Sequence, residues 1–229
     1  MMAKKVGLSC TASILMAILF LSTSPATEIG NGLDLGGQMR WRIEFDGKDF
    51  DYGTAMNEMS LLRTRVNLKV TAIEDAIVYF QMQDSRNLGQ FNSANLSNDD
   101  NLGVHQGYIK LKDLFAEGLD LQLGRFEAPY GRHRLMGNVG WSNVGRSFDG
   151  IRLMRKGNNY KADIFCLKVV ERGFQALPSH KDHKLYGVYS GSLDDKFHLF
   201  MLYDWDMMKT GDDYNLARYT FGALFQEET

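Results

Sequence analysis

The sequence predicts an all-β fold, an antiparallel transmembrane β-barrel with about ten strands, on three observations. The N-terminus has the features of an export signal. The chain after it alternates apolar and polar residues over long segments, and it contains no apolar run of the length that a transmembrane helix needs. Long polar connections and short turns follow one another, which is the pattern of outer-membrane barrels.

The first of these observations concerns residues 1–26, which have the three parts of a cleavable signal peptide. Lys4 and Lys5 supply positive charge, residues 14–21 form the apolar run, and Ala26 ends a small-residue cleavage site. The apolar run is too short to span a bilayer as a helix. We therefore expect export, a barrel over residues 27–229 and a location in the outer membrane of a Gram-negative bacterium.

Charge and composition argue against several other classes of protein. Loss of Lys4 and Lys5 with the signal lowers the basic count from 26 to 24 against 28 acids, a net charge of −4. A general nucleic-acid binder needs a basic excess, so no nucleic-acid partner is expected. After cleavage only Cys166 remains, which allows no internal disulfide.

Catalytic and metal-binding motifs are also missing from the sequence. The five histidines are scattered and no serine motif accompanies them. His180 and His183 could form a metal pair, but two histidines in a polar loop are more often solvated. We predict neither an enzyme nor a cofactor site.

Alternation begins in residues 33–45, where Leu35, Met39 and Trp41 share one face and charged residues share the other. The run is longer than a typical globular strand and long enough to cross a bilayer when tilted. The same pattern predicts further strands, in chain order, at 62–72, 77–83, 104–112, 119–124, 147–155, 160–170, 184–192, 196–205 and 215–225.

The connections carry most of the acidic residues. Residues 47–57 and 87–101 are long, polar and acidic, whereas residues 73–75 and 113–118 form short turns. Arg and Lys lie in the middle of strands instead. Charges on one strand face, opposite an apolar face, favour a barrel with a wet lumen over a soluble exported β-sandwich or lectin-like module.

The segment 124–153 reads GRFEAPYGRHRLMGNVGWSNVGRSFDGIRL and contains five arginines but only two acids. Its pairs Gly124-Arg125, Tyr130-Gly131 and Gly145-Arg146, followed by Phe148-Asp149-Gly150 and Arg152, resemble the motif of the alginate export porin family. The strands RTRV (63–66) and VHQGY (104–108) resemble that family as well. Phe126 departs from the pattern, because family members usually have glutamine there.

This resemblance implies an outer-membrane porin whose arginine-lined, anion-selective lumen passes anionic polysaccharide or small anionic solutes by passive diffusion. Family members are about twice as long, so we expect an N-terminal part of a larger barrel, with a small ten-strand barrel as the alternative. The expected partners are the solute and the outer-membrane lipid with its lipopolysaccharide. The identity of the solute, export versus uptake, and the oligomeric state stay open.

Candidate pore-lining residues follow from strand parity. Five of them lie on the polar faces of two adjacent strands: Arg40, Arg42, Arg63, Arg65 and Lys69. Lys110 and Arg152 follow by the same parity argument. In the alternative interpretation, these cations pair with the acids Asp34, Glu44 and Asp120 and hold the barrel together.

The arginine-rich segment adds candidates on weaker grounds. Arg125 has the parity of lipid-facing Leu123, so it lines the pore only if a bulge or a rim position redirects it. Arg132, Arg134 and Arg146 lie in the Gly-rich connection, where they either form a constriction or are solvated outside, and Asp149 is expected to clamp one of these three arginines.

A second functional hypothesis is a non-transporting or surface-binding barrel. Such a protein would act through the long acidic loops at 47–57 and 87–101.

Overall fold

The computed structural model describes residues 18–28, 32–46, 57–88, 100–169, 183–206 and 216–225. Eleven strands form one antiparallel sheet in sequence order, so each strand pairs with its neighbours in the chain. They are β1 Ile18–Glu28, β2 Leu33–Asp46, β3 Asn57–Ile73, β4 Ala76–Leu88, β5 Asp100–Leu111, β6 Leu119–Phe126, β7 Phe148–Lys156, β8 Tyr160–Val169, β9 His183–Ser192, β10 Phe197–Asp206 and β11 Leu216–Phe225. In the described part of the chain, no helix is long and apolar enough to cross a membrane.

The all-β antiparallel prediction is confirmed, and strands β2 to β11 correspond to the ten predicted segments. The additional strand, β1, lies mostly in residues 1–26, the segment predicted to be a signal peptide, and pairs with β2. Removal of residues 1–26 therefore stays a prediction.

The two ends of the sheet differ in how the strands are connected. One end carries the connections 47–56, 89–99, 127–147, 170–182 and 207–215. The other end carries the connections 29–32, 74–75, 112–118, 157–159 and 193–196. We call these the long-loop end and the short-turn end.

One face of the sheet, here called the outer face, exposes large apolar side chains along its strands. Its exposed members include Leu35, Met39, Trp41, Val66, Val78, Phe80, Ile109, Leu123, Ile151, Ile164, Val188, Leu199, Met201, Tyr219 and Phe221. Soluble monomers rarely expose a contiguous apolar surface of this extent. A lipid-facing band on a barrel wall accounts for it.

The opposite, inner face is covered by the connection 127–147 between β6 and β7. Tyr130 and Met136 form a β-bridge inside this connection. Arg132 and His133 have φ of 50° and 66°, and Gly131 has φ of 60°, so the chain reverses sharply here. The reversal folds the connection back over the inner face, and we call residues 127–147 the inner loop.

A β-bulge in β5 redirects one side chain to the inner face. Gln81 pairs with Gln106 whereas the next residue, Met82, pairs with Val104. His105 is the extra residue and is completely buried. The bulge therefore places both His105 and Gln106 on the inner face, which strict alternation would not allow.

Close approach of β5 and β6 depends on Gly124. Its φ is +122°, and an added Cβ would lie 2.3 Å from the carbonyl oxygen of Gly107. Only glycine combines this backbone conformation with this contact.

We expect Gly124→Ala to destabilise the sheet by about 1–3 kcal/mol, the cost of a strained backbone position. The measurement is the temperature at which the protein in detergent loses its compact electrophoretic mobility. Gly140→Ala is the control, because a Cβ at Gly140 has its nearest neighbour, Asn138 Oδ1, at 3.4 Å. Equal transition temperatures for the two variants would contradict the role of Gly124.

Candidate functional site

Two buried arginines on the inner face bind the backbone of the inner loop. Arg40 Nη1 donates to Gly140 O at 2.8 Å, and Arg40 Nη2 donates to Ser142 O at 2.9 Å. Arg63 Nη1 donates to Ser142 O at 3.1 Å. The two arginines are register partners on β2 and β3, so their guanidinium groups meet the loop side by side.

Arg42 completes this set, which we call the arginine clamp (Arg40, Arg42 and Arg63). Its Nη1 donates to Trp141 O at 2.5 Å, and its guanidinium lies 4.3 Å from the centroid of the Trp141 ring. Its Nε is 2.6 Å from Glu44 Oε1. A buried guanidinium is tolerated only with partners of this kind, so loop and clamp depend on each other.

Strand β4 holds the next part of the loop through uncharged groups. Gln83 Nε2 donates to Val144 O at 2.6 Å, and Ser85 Oγ donates to Asn143 O at 2.9 Å. The Asn143 side chain donates in return to Leu62 O at 3.2 Å. Carbonyl groups of five consecutive loop residues, 140–144, therefore accept hydrogen bonds from β2, β3 and β4.

The start of the loop is fixed by Glu127. His105 Nε2 lies 2.7 Å from Glu127 Oε1, Asn138 Nδ2 donates to Glu127 Oε2 at 2.6 Å, and Arg65 Nη1 is 3.4 Å from Oε1. Burial by itself raises the pKa of Glu127, but the hydrogen bonds from His105 and Asn138 and the charge of Arg65 outweigh it. The net pKa of Glu127 lies below its usual value, so the carboxylate is ionised at neutral pH.

The other side of the inner loop is apolar. Ala128, Tyr130 and Met136 belong to a buried cluster with inner-face side chains of β6 to β10. The cluster also contains Phe126, Phe148, Phe165, Leu167, Tyr189 and Leu202. Tyr130 stacks on Phe165 with the ring centroids 4.9 Å apart. The loop is thus held by polar contacts towards β2–β5 and by hydrophobic packing towards β7–β10.

Two of the predicted pore-lining residues, Lys69 and Lys110, pair with acids, as in the interpretation that the inner-face cations hold the barrel together. Lys69 Nζ is 2.9 Å from Asp34 Oδ2, and Lys110 Nζ is 2.8 Å from Asp120 Oδ2. Both lie on the inner face, but each positive charge is matched by a carboxylate. They connect neighbouring strands across the sheet.

Arg152 lies on the inner face, as predicted. Its Nη2 donates to Gln122 Oε1 at 2.6 Å, and its Nη1 is 3.9 Å from Asp163 Oδ2. Its guanidinium lies 5.0 Å from the centroid of the Phe126 ring.

The prediction that Arg125 and Asp149 line the pore is wrong. Arg125 keeps the parity of Leu123 because β6 has no bulge between them, and both it and its register partner Asp149 lie on the outer face. Arg125 Nε and Nη2 bind Asp149 Oδ1 and Oδ2 at 2.6 and 2.7 Å. The expected pairing of Asp149 with Arg132, Arg134 or Arg146 is therefore not observed.

Three arginines of the inner loop have exposed side chains: Arg132, Arg134 and Arg146. Within the described ranges their guanidinium groups have no hydrogen-bond or ion-pair partner. They are the candidate residues whose charge is directly available to a solute.

Two cavities flank the inner loop. The larger, of about 750 Å³, lies towards the long-loop end and is lined by Arg146, Trp141, His183 and Asp204 among others. The smaller, of about 260 Å³, lies towards the short-turn end. Its charged and polar lining residues are Tyr130, Arg132, His133, Arg152, Lys161, Asp163, Tyr189, Asp195 and His198.

Sequence reasoning missed the partners of the arginines. Gln83 has the inward parity of the predicted strand 77–83, so its position could have been read from the alternation, and Ser85 continues this parity in the part of β4 that lies beyond the predicted strand. His105 could not, because a bulge has no clear sequence signal. Among the described residues, no group of three or more His, Cys, Asp or Glu side chains could hold a metal ion.

We expect Arg40→Gln/Arg63→Gln to release the inner loop. Each hydrogen bond from a charged donor contributes about 1.5–3 kcal/mol, so cleavage by trypsin after the exposed loop arginines should accelerate about tenfold or more. The control is Lys69→Gln/Lys110→Gln, which removes the same charge from the inner face without touching the loop. Equal acceleration in both variants would contradict the clamp.

Acid should loosen the same loop at Glu127. A lowered carboxyl pKa stabilises the folded loop above the usual glutamate pKa of about 4.3, and this stability is lost as the pH falls through the lower value in the folded protein. The fluorescence anisotropy of Trp141, with Trp41 and Trp205 changed to Phe, should therefore fall below about pH 4. Glu127→Gln should show no such transition. If the transition is unchanged in this variant, a group other than Glu127 causes it.

Comparison with known proteins agrees with this architecture. The sequence profile of the alginate export family matches residues 31–216, which include β2 to β10 and the whole inner loop. No match was found among curated proteins. The profile covers most of the sequence, and the chain therefore belongs to the alginate export family.

Proposed function

We propose that this chain forms an outer-membrane porin in which the inner loop constricts the lumen and selects anions. Membership of the alginate export family indicates an export or porin role in the outer membrane, in a family of transporters and not of enzymes. The observation that carries the finer proposal is the set of exposed loop arginines, Arg132, Arg134 and Arg146, on a segment folded against the inner face.

The two cavities lie on opposite sides of this constriction, one towards each end of the sheet. Arg146 lines the cavity towards the long-loop end, and Arg132 lines the cavity towards the short-turn end. A solute that crosses the lumen would leave one cavity and enter the other past the inner loop. It would meet an exposed guanidinium on each side.

The clamp adds positive potential to the same place. Arg40 and Arg63 bind backbone carbonyl groups, which accept hydrogen bonds without carrying an opposing unit charge. Their charge is therefore less compensated than that of Lys69 or Lys110, which face carboxylates. A lumen lined by uncompensated cations attracts anions and repels cations.

Arginine suits carboxylated solutes in particular. Its planar guanidinium can donate two parallel hydrogen bonds to a carboxylate, which a lysine cannot. Anionic polysaccharide and small organic anions share this group, so we propose passive diffusion of solutes of that class.

The experiment is the reversal potential of the protein in a planar bilayer under a salt gradient, with Arg132→Gln/Arg146→Gln. A unit charge at ~8 Å in water stabilises an anion and destabilises a cation by ~0.5 kcal/mol each, so each lost arginine should lower the anion-to-cation permeability ratio about sixfold. Added polyuronate should block the current of the unchanged protein and block the variant less.

The matched control is Lys156→Gln/Lys196→Gln, two exposed cations at the short-turn end away from the inner loop. We expect this control to change the permeability ratio less than the loop variant does. Selectivity for cations in the unchanged protein, or an equal loss in both variants, would contradict selection by the inner loop.

The alternative of a non-transporting barrel that acts through its acidic loops stays a hypothesis. Residues 47–56 and 89–99, which make up most of those loops, lie outside the described residues. No observation in the described part favours this function over the porin.

A further inference from the structure

The larger cavity beside the inner loop, here called the large cavity, has a mostly apolar wall. Its volume of about 750 Å³ falls in the range of small-molecule binding sites. Trp141 contributes an aromatic ring, and six aliphatic or aromatic residues form the rest of the apolar lining: Leu135, Met136, Val139, Phe148, Val169 and Leu185. Hydroxyl groups of a sugar would find few partners on this wall, so the lining suits a ligand with an apolar body.

The smaller cavity has the opposite chemistry. Its lining includes the phenolic side chains Tyr130 and Tyr189 and the charged side chains Arg152, Lys161 and Asp163. Polar and charged groups of this kind are typical of the wet interior of a barrel. The apolar wall of the large cavity is not typical of such an interior, so it needs an explanation of its own.

Trp141 lines the large cavity with a ring that is accessible to a ligand. Ser142 N donates to Val139 O at 3.0 Å, so residues 139–142 form a tight turn that carries the ring. The Arg42 guanidinium lies over the ring at 4.3 Å from its centroid, yet 62% of Trp141 is exposed. A ring that is held by a cation and is still exposed can stack against an aromatic ring of a ligand.

Arg146 supplies the only guanidinium group among the described residues that line the large cavity. Its backbone N donates to Asn138 O at 2.8 Å, and the Asn138 side chain is held in turn by Glu127. The exposed side chain of Arg146 therefore projects from an anchored backbone. A guanidinium can bind a carboxylate through two parallel hydrogen bonds, so an acid group is the ligand group that fits this position.

Asp204 carries the only carboxylate among the described residues that line the large cavity. Its Oδ1 lies 2.5 Å from His183 Nε2. Arg218 on β11 is the register partner of Asp204, and such partners on one face have Cβ atoms about 5 Å apart. Asp204 thus has a basic side chain on each neighbouring strand, and these side chains reduce its repulsion of a bound anion.

We propose that the large cavity binds a monocarboxylate with an apolar or aromatic body. The carboxylate binds the Arg146 guanidinium, and the body packs against Trp141 and the apolar wall. This inference deepens the proposed function and rests on it, since a solute reaches the cavity only if the inner face lines a lumen. A sugar acid lacks partners for its hydroxyl groups there, and an amino acid would bring its ammonium group close to Arg146.

The probe is 3-phenylpropionate, added to the purified full chain in a neutral detergent at constant pH. The background is Trp41→Phe/Trp205→Phe, which leaves Trp141 as the one tryptophan of three. The fluorescence of Trp141 should change with a saturable dependence on ligand concentration. Three matched compounds should bind about tenfold or more weakly: 3-phenylpropionamide lacks the charge, phenylalanine adds an ammonium group, and glucuronate has a hydroxylated ring in place of the phenyl ring.

Variants in the same background locate the site. Arg146→Gln should weaken binding of 3-phenylpropionate about tenfold or more, because it removes the charged donors to the carboxylate. Val139→Asn should weaken binding about threefold or more, because it replaces an apolar wall residue, and asparagine tolerates the φ of 49° at this position. Lys156→Gln removes an exposed cation at the short-turn end and, as the control, should leave binding within about twofold.

A variant with tighter binding guards against misfolding as an explanation. Asp204→Asn removes the carboxylate of the large cavity and keeps an oxygen for His183, so binding should tighten about twofold or more. Four results would each overturn the proposal: weaker binding by this variant, no saturable change in fluorescence, any matched compound bound as tightly as the probe, or equal losses in Arg146→Gln and Lys156→Gln.

Binding in detergent and selectivity in a bilayer are separate measurements, so each can fail alone. An anion-selective pore without this binding overturns the inference and leaves the proposed function intact. Binding of the probe by a protein whose pore selects cations contradicts the proposed function, and the carboxylate site remains.

Discussion

Hydrogen bonds between arginine and the backbone carbonyls of the inner loop are the interaction on which this architecture depends. When a loop folds over the inner face of a sheet, its peptide groups lose the water that would otherwise hydrate them. Those groups then need donors from the protein itself. Guanidinium groups offer several donors in one plane, so Arg40 alone reaches Gly140, Trp141 and Ser142. The buried arginines and the loop thus satisfy each other's polar groups.

The choice of carbonyl partners has an electrostatic result. Where a lysine faces a carboxylate, as at Lys69 and Asp34, the pair is neutral and serves to connect two strands. Where an arginine faces a carbonyl group, the loop is fixed and the positive charge stays largely uncompensated. Arginine therefore both attaches the inner loop to the sheet and supplies positive electrostatic potential. This distinguishes the cations of the inner face that pair with carboxylates from those whose charge stays largely uncompensated.

Strand alternation predicted most of the wall, because each residue's parity depends only on its neighbours along the chain. It placed Arg40, Arg42 and Arg63 correctly on one face. It could not identify their partners, since Arg40 and Gly140 are separated by 100 residues and meet only through the tertiary fold. It also missed His105, which a bulge brings to the inner face. For Arg125, strict alternation gave the correct face, although a bulge or a rim position was considered as well. Local pattern determines faces, whereas loop contacts need three-dimensional information.

The sequence separation of the clamp has a consequence for the order of folding. Contacts between distant residues form late, because a long stretch of chain must first be arranged around them. The arginines of β2 and β3 are synthesised about 80 to 100 residues before the carbonyl groups that they bind. During assembly, β2 and β3 carry guanidinium groups that stay hydrated until the β6–β7 hairpin arrives. We therefore expect the covering of the inner face to be a late, cooperative step of assembly, in which the inner loop docks on strands that are already paired.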